Sequence, residues 1–332
     1  MVDEQDLGSV AADAAEKERI RNSARTVIDT CMQLRSHENL LIVTDPHTAE
    51  IGQALYEAGS QVSDRVLMVM MPSTHRHGQE PPNPVADMMR RQHVVIAATR
   101  YSLTHTRARL TASKDGARIA TMPGVNRAMF IEGGMTADFD SLQTSIATMG
   151  KILRRHRSVV IEGNGTGLSF DISGRWNLED NGICNRPGQV TNLPAGKIFS
   201  QVKTETVTGT IEIDGAWDSV ALKSPITVIF DQGRLIEIEG PEDGQLKEQI
   251  AEITEDGIDS IQLVEFGFGM NPQARITGNA LEDEKVLGSC YIVLKQSNNR
   301  RGVDLRSSAV TTKSTVRLGD QYLIDSGVFQ SN

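Results

Sequence analysis

The feature that most constrains the fold is a series of short apolar runs, in the first half of the chain, separated by segments with helical spacing. Each run is bounded by polar residues, a pattern typical of strands covered on both faces. The intervening segments 46–59 and 135–156 have helical periodicity. The pattern predicts a mostly parallel sheet with helices on both faces. The runs are 39–45 (NLLIVTD), 65–71 (RVLMVMM), 93–100 (HVVIAATR) and 117–125 (ARIATMPGV).

The pattern changes after residue 157. Residues 158–175 have the alternation of a β-hairpin, and later short strands are joined by Asp-Gly, Gln-Gly and Gly-Asp turns. Only 245–254 is helix-like there, so this half is expected to be a strand-rich α+β domain. At 332 residues the chain exceeds one usual domain. We therefore predict an α/β protein of two domains, 1–157 and 158–332.

Composition excludes several partner classes. The formal charge of −9 and the scattered basic residues argue against a nucleic-acid surface. No run is apolar for the roughly 20 residues of a membrane span, and residues 1–24 lack the apolar core of a signal peptide. The three cysteines form no CxxC pair and are expected to be reduced thiols. A cytoplasmic protein without membrane or nucleic-acid partners is expected.

The segment 261–293 carries the most specific signal. It reads IQLVEFGFGMNPQARITGNALEDEKVLGSCYIV, with Glu265 at the end of an apolar run. It resembles the signature block of the aminopeptidase T metallopeptidase family and of its relative, 2,5-dihydroxypyridine dioxygenase. Further matching blocks occur in order along the chain: YSLTHTRARL at 101–110, GTGLSFDISGR at 165–175, NLPAGKIF at 192–199 and GTIEIDG at 209–215. The resemblance implies an aminopeptidase T-like architecture, a site between the domains, and a homodimer or higher even oligomer.

The resemblance also implies that most metal ligands of the family are missing here. In the peptidases, two Glu, one His and a late His-x-Asp pair hold two metal ions. The first Glu falls on Lys197, the His on Tyr291, and the late pair on Val310 and Thr312, so that only Glu265 remains. In the dioxygenase, a His at the position of Glu265 joins the same late pair to hold iron.

The donor types in the second half lead to the same expectation. All seven histidines precede residue 157, whereas zinc and iron sites depend on imidazole and thiolate donors. Asp283, Glu284 and Asp304 could hold magnesium, but an acidic run is more often a solvated surface or a helix start. We expect no metal and no cofactor.

Lys197 is the residue whose charge would replace that of the metal beside Glu265. A buried carboxylate must be paired or protonated, so the Lys197 ammonium is expected to lie close to Glu265. Two interpretations stay open at this stage. The pair is either catalytic, because a desolvated lysine can transfer protons, or a structural salt bridge left after the metal was lost.

A second set of candidates lies in the loop 101–110, which follows a strand at the carboxyl edge of the first sheet, where open α/β sheets bind ligands. His105 is suited to proton transfer at neutral pH. Tyr291, in the second half, could donate a hydrogen bond to a substrate oxygen or simply pack. Hydroxyl donors to a small anionic or carbonyl substrate are Ser102, Thr104 and Thr106, and candidate carboxylate clamps are Arg109 and Arg175.

These residues favour a metal-independent enzyme of small-molecule metabolism. The leading hypothesis is a hydrolase that opens an amide or a nitrogen-heterocycle ring bond, with His105, Lys197 and Glu265 sharing proton transfer. One alternative is a non-catalytic binding or partner subunit with a decayed metal site. Another is a true metal-dependent aminopeptidase or ring-cleaving dioxygenase.

The metal hypothesis is directly testable. We expect the purified protein to contain no stoichiometric zinc, iron, cobalt or manganese, because one family ligand remains in a half without histidine. Elemental analysis checks this expectation. A stoichiometric metal whose removal by a chelator abolishes activity would contradict it.

Overall fold

The structure is a computed structural model that describes residues 4–240, 244–255, 257–296 and 306–330. Asp304 lies outside the described residues. The chain divides into two compact units, and the division falls inside a helix between Gln143 and Thr144. The first unit also includes Asp180–Ala195, and the second includes Thr144–Glu179 and the residues from Gly196 onward. The domain boundary at 157/158 stays a prediction.

The helices and strands are numbered in chain order. The helices are α1 Glu4–Arg25, α2 Ala49–Ser60, α3 Asn83–Met89, α4 Arg107–Lys114, α5 Arg127–Ile131, α6 Phe139–Leu153, α7 Gly244–Thr254 and α8 Ala280–Asp283. The strands are β1 Leu40–Thr44, β2 Val66–Met70, β3 Val94–Ala98, β4 Arg118–Thr121, β5 Ser158–Gly163, β6 Thr166–Asp171, β7 Val190–Asn192, β8 Lys197–Gln201, β9 Thr208–Ile213, β10 Ala216–Trp217, β11 Val220–Ala221, β12 Ile226–Asp231, β13 Arg234–Glu239, β14 Ile261–Gly269, β15 Cys290–Gln296, β16 Arg306–Thr311, β17 Thr315–Leu318, β18 Gln321–Asp325 and β19 Val328–Phe329.

The first unit is built on a parallel sheet with the strand order β2-β1-β3-β4-β7. Alternate residues of β1 point to opposite faces, and both faces are covered. Leu41 and Val43 belong to a buried cluster with side chains of α3 and α4. On the other face, α2 packs so closely that a Cβ on Gly59 would lie 2.6 Å from the Leu40 side chain. The α/β class predicted for this half is confirmed.

Three details of this unit differ from the sequence prediction. β2 is an edge strand, and Leu67 and Met70 on it are 52% and 53% exposed rather than buried. The helix expected from residue 46 begins at Ala49, because Asp45 accepts a hydrogen bond from the His47 amide and ends the preceding strand in a turn. The fifth strand, Val190–Asn192, comes from a segment that the sequence placed in the second half.

The second unit contains two antiparallel sheets. Their strand orders are β11-β10-β16-β15-β14-β8 and β13-β12-β9-β6-β5-β17-β18-β19. The hairpin predicted at 158–175 is present as β5 and β6. Aromatic side chains join the two sheets, since the ring of Phe266 on β14 lies 5.2 Å from that of Phe170 on β6. The strand-rich α+β prediction is confirmed.

No described helix combines the length and hydropathy that crossing a membrane requires.

A buried ion pair connects β4 to the chain ahead of β1. The Arg118 guanidinium donates to both Glu38 carboxylate oxygens at 2.7 and 2.8 Å, and to the Met32 carbonyl at 3.1 Å. Both side chains are only 6% exposed. The hydrogen bond from Arg118 is the main cause that lowers the pKa of Glu38. The pair therefore fixes the entry to the sheet.

Arg118→Met tests the contribution of this pair to stability. The substitution leaves the Glu38 carboxylate buried without its partner, so we expect a loss of about 3–5 kcal/mol in the free energy of unfolding. Urea denaturation measures it. Arg90→Met is the matched control, because Arg90 and Asp115 form a half-exposed pair that water screens. Equal effects of the two substitutions would contradict the assignment.

Candidate active site

The alternation of β14 builds the candidate site. Opposite residues of antiparallel strands share a face, so Glu265, Gly267 and Gly269 face the same side as Tyr291 on β15 and Lys197 on β8. The intervening phenylalanines point the other way, into the aromatic contacts between the sheets. The sequence FGFG thus places aromatic side chains against the second sheet on one face and leaves no side chain at two positions of the other.

The site requires glycine at two positions of β14. A Cβ on Gly267 would lie 2.5 Å from the Tyr291 ring, so only glycine lets the ring lie flat across the strand. A Cβ on Gly269 would lie 2.0 Å from the Val286 carbonyl oxygen. The segment that carries Glu284 and Lys285 can therefore cross the sheet face at this point.

Glu265 lies beside an irregularity in β14. The register with β15 shifts between Leu263 and Glu265, which is the signature of a β-bulge. Its Oε1 accepts a 3.0 Å hydrogen bond from the Tyr291 hydroxyl, and its Oε2 accepts one at 3.4 Å from Gln201 Nε2. The carboxylate is therefore oriented by two neutral donors on neighbouring strands.

Lys197 lies between two carboxylates. Its Nζ is 3.8 Å from Glu265 Oε1, an ion-pair distance, but it donates a 2.6 Å hydrogen bond to Glu284 Oε2. The expected proximity of Lys197 and Glu265 is present, although the shorter contact is to Glu284. The three side chains are only 11–13% exposed.

Glu284, considered from the sequence only as a possible magnesium ligand, is the unpredicted partner of Lys197. Its Oε1 accepts from Ser308 Oγ at 2.7 Å, and its Oε2 lies 3.5 Å from Lys285 Nζ. Burial alone would raise the pKa of Glu284, but the Lys197 and Lys285 ammonium groups and the hydrogen bonds lower it to about 2. The carboxylate is therefore ionised throughout the ordinary pH range.

The acidic run around Glu284 is not a solvated surface. Glu282 and Asp283 lie in the short helix α8, which Glu284 follows, and they are 1% and 0% exposed. Burial raises the pKa of Asp283 to about 6, even though the Thr277 amide donates to its Oδ1 at 2.7 Å. The possibility that this run forms a solvated surface is wrong, because all three acidic side chains are buried or nearly so.

Aromatic rings complete the surroundings of Lys197. Its Nζ lies 4.6 Å from the centroid of the Tyr291 ring and 5.0 Å from that of Phe199. Tyr291, Val293 and Val310 form a buried apolar cluster with Ala216 on the same face. Val310, which the resemblance set at a former ligand position, is thus a packing residue, and Thr312 instead donates from its backbone to Asp214 at 2.6 Å.

The other predicted residues have different surroundings. Ser102 donates to Thr104 at 2.8 Å, and Thr106 caps α4 by accepting from the Arg109 amide. Arg109 Nε donates a hydrogen bond to the Thr104 carbonyl, so one of the donors of its guanidinium is already occupied. His105 and Arg175 are exposed. Of all the predicted site residues, Lys197, Glu265 and Tyr291 form one cluster, and Ser102, Thr104, Thr106 and Arg109 form a second in the first unit.

The fold is that of an α/β protein similar to two solved structures. The structure of 2,5-dihydroxypyridine dioxygenase from Pseudomonas putida KT2440 aligns with a TM-score of 0.78 and 12% identity, over 95% of this chain and 98% of that one. Wild-type AmpT from Thermus thermophilus aligns with a TM-score of 0.65 and 12% identity, over 95% and 100%. The predicted aminopeptidase T-like fold is confirmed.

The family follows from a sequence match. The family model of NicX, 2,5-dihydroxypyridine 5,6-dioxygenase, matches residues 20–290, and the chain belongs to this family. No curated protein sequence matches the chain.

The residues at the site do not fit the iron that the family implies. Glu265 and Glu284 are engaged by Lys197, and the neighbouring donors are hydroxyl, amide and ammonium groups. Cys290 adjoins Tyr291, but burial raises the pKa of its thiol. Among the described residues, no group of three or more His, Cys, Asp or Glu side chains could hold a metal ion. Imidazole and thiolate are the donors that iron and zinc prefer, and an ammonium beside the carboxylates repels a cation.

Glu284→Gln tests the importance of the second carboxylate. The substitution removes the carboxylate charge that both the Lys197 and the Lys285 ammonium groups contact, so we expect a loss of about 3–5 kcal/mol in the free energy of unfolding, measured by urea denaturation at pH 7. The folded-state pKa of Glu284 is depressed to about 2 from 4.5. The parental protein therefore keeps this contribution above pH 4.5 and loses it as the pH falls toward 2.

Glu205→Gln is the matched control, since Glu205 is 71% exposed beside Lys203. A Glu284→Gln protein as stable as this control would show that the cluster does not depend on the Glu284 charge.

Proposed function

We propose that the chain is an enzyme that acts on a small polar molecule without a metal ion at this site. The observation that carries the proposal is the position of the Lys197 ammonium, 3.8 Å from a Glu265 carboxylate that also accepts from Tyr291. A positive charge, a proton acceptor and a hydroxyl donor converge there on one sheet face. Membership of an enzyme family supports the proposal.

The proposed reaction is hydrolysis of an amide or a nitrogen-heterocycle ring bond. The family name refers to an enzyme that acts on a nitrogen heterocycle. Its oxygen chemistry needs a redox-active metal, and the ammonium-bearing donor set here does not fit one. Hydrolysis needs only proton transfer and stabilisation of an oxyanion, which side chains of these types supply.

The roles follow from the charges. Glu265 accepts a proton from a water molecule whose oxygen adds to the substrate carbonyl carbon. The Lys197 ammonium donates a hydrogen bond to the oxyanion that forms, and the Tyr291 hydroxyl turns from Glu265 to do the same once Glu265 holds the proton. The C–N bond then breaks, and the proton held by Glu265 passes to the departing nitrogen. Glu284 keeps Lys197 positioned and charged through the 2.6 Å hydrogen bond. A role for His105 in proton transfer stays a prediction from the sequence.

The competing function is a non-catalytic binding subunit. The observation that favours it is charge balance, because the ammonium groups of Lys197 and Lys285 compensate the carboxylates of Glu265 and Glu284. In this reading, the buried cluster has a purely structural role: it holds the sheet face together after the loss of a metal ion.

Glu265→Gln distinguishes the two functions. The amide keeps the shape of the side chain, and Lys197 keeps its hydrogen bond to Glu284, so we expect a melting temperature close to that of the parent. We also expect loss of turnover by at least about 100-fold, the usual size of a general-base contribution. The measurement is hydrolysis of a panel of small amides and nitrogen heterocycles, followed by chromatography.

Lys197→Met provides the second arm, and Lys203→Met is its control, because Lys203 is 51% exposed beside Glu205. If Lys197 is catalytic, the Lys197→Met protein loses turnover per folded molecule and the control does not. A parent that hydrolyses nothing in the panel, or a Glu265→Gln variant with unchanged turnover, would support the binding subunit instead.

A further inference from the structure

The parallel sheet of the first unit has a point where the strand order reverses. From β1 the chain proceeds to β2 on one side, and β3 then pairs with the other side of β1. In open parallel sheets, the loops that leave the carboxyl ends of such neighbouring strands diverge and form a crevice in which ligands bind. The residues that follow β1 and β3 are therefore the place to search for a binding site in this unit.

Asp45 fixes the two loops to each other. This buried residue follows β1, and its carboxylate accepts from the His47 amide at 3.0 Å and from the Arg100 amide at 2.7 Å. Thr48 adds a second connection between β1 and β3 by donating its hydroxyl to the Ala98 carbonyl at 2.6 Å. Both loops are thus held in one conformation before any ligand arrives, which lowers the entropic cost of binding.

The loops after β1 and β3 present cationic and aromatic groups at the carboxyl edge of the sheet. Arg100 Nη1 lies 3.1 Å from His47 Nε2, and the guanidinium carbon lies 5.3 Å from the centroid of the Tyr101 ring. Within the described part of the chain, no carboxylate forms an ion pair with Arg100. Arg118 and Arg127, by contrast, are both paired with glutamates. Arg100 is oriented by its neighbours without a carboxylate of the described residues at ion-pair distance from its guanidinium.

We propose that Arg100 and His47 form a binding site for a small oxyanion, the carboxylate or phosphate group of a small molecule. The planar guanidinium matches the two oxygens of such a group in a bidentate hydrogen-bonding geometry. His47 Nε2 accepts from Arg100 Nη1 and so orients the guanidinium, and Tyr101 limits its movement. The site lies in the first unit and is independent of the Lys197 cluster and of the reaction proposed for it.

The test is an NMR titration of the full-length protein labelled with ¹⁵N-histidine. The His47 ring signal is assigned from its absence in His47→Gln. Inorganic phosphate and acetate are added separately at constant ionic strength maintained with sodium chloride. We expect saturable movement of the His47 signal with at least one of the two anions. Saturation with phosphate alone identifies a phosphate site, and saturation with acetate identifies a carboxylate site.

Arg100→Gln and Arg91→Gln separate specific binding from net charge. Both substitutions remove one exposed positive charge from the same unit. Arg91, however, lies between α3 and the start of β3, whereas Arg100 follows the end of β3. We expect Arg100→Gln to weaken binding at least tenfold and Arg91→Gln to leave it unchanged, with melting temperatures near that of the parent in both. Absence of saturation with either anion, or equal weakening by the two substitutions, would overturn the proposal.

Discussion

The carboxylates of Glu265 and Glu284 lie on either side of Lys197, away from most water, and the organisation of the second unit depends on how their charge is compensated. An isolated carboxylate so removed from water would be too unstable to remain ionised. Here Lys197 lies between Glu265 and Glu284, and Lys285 adds a second positive charge from the segment that crosses the sheet. The cluster is therefore complete only when β8, β14 and that segment are assembled together.

The different surroundings of its two faces explain the composition of β14. One side of the strand must pack against the second sheet, which the phenylalanines do, and the other must leave room for a tyrosine ring and for the crossing backbone. Gly267 and Gly269, which have no side chain, leave that room for the ring and the backbone. Alternation along one strand thus connects the hydrophobic core of the unit with the polar cluster.

The sequence predicted much of this organisation, because periodicity is a local property. β1, β3 and the β5–β6 hairpin lie where apolar runs or alternation indicated them. The exposure of β2 was not predictable from its residues, since an edge position is a property of strand order. Tyr291 and Lys197 were identified through the family resemblance. Glu284 was not, because an acidic run resembles a solvated surface until Lys197, 87 positions away, is brought against it.

The strand β7 has a consequence for how the first unit forms during synthesis. Val190–Asn192 pairs with β4, yet more than 60 residues separate the two along the chain, and part of the second unit lies between them. Until those residues leave the ribosome, β4 presents unpaired amide and carbonyl groups, as any open sheet edge does. Pairing between distant segments is also slow, because a long loop must close first. The two units are therefore interleaved in sequence, and a fragment cut at residue 157 would expose an edge that the whole chain covers.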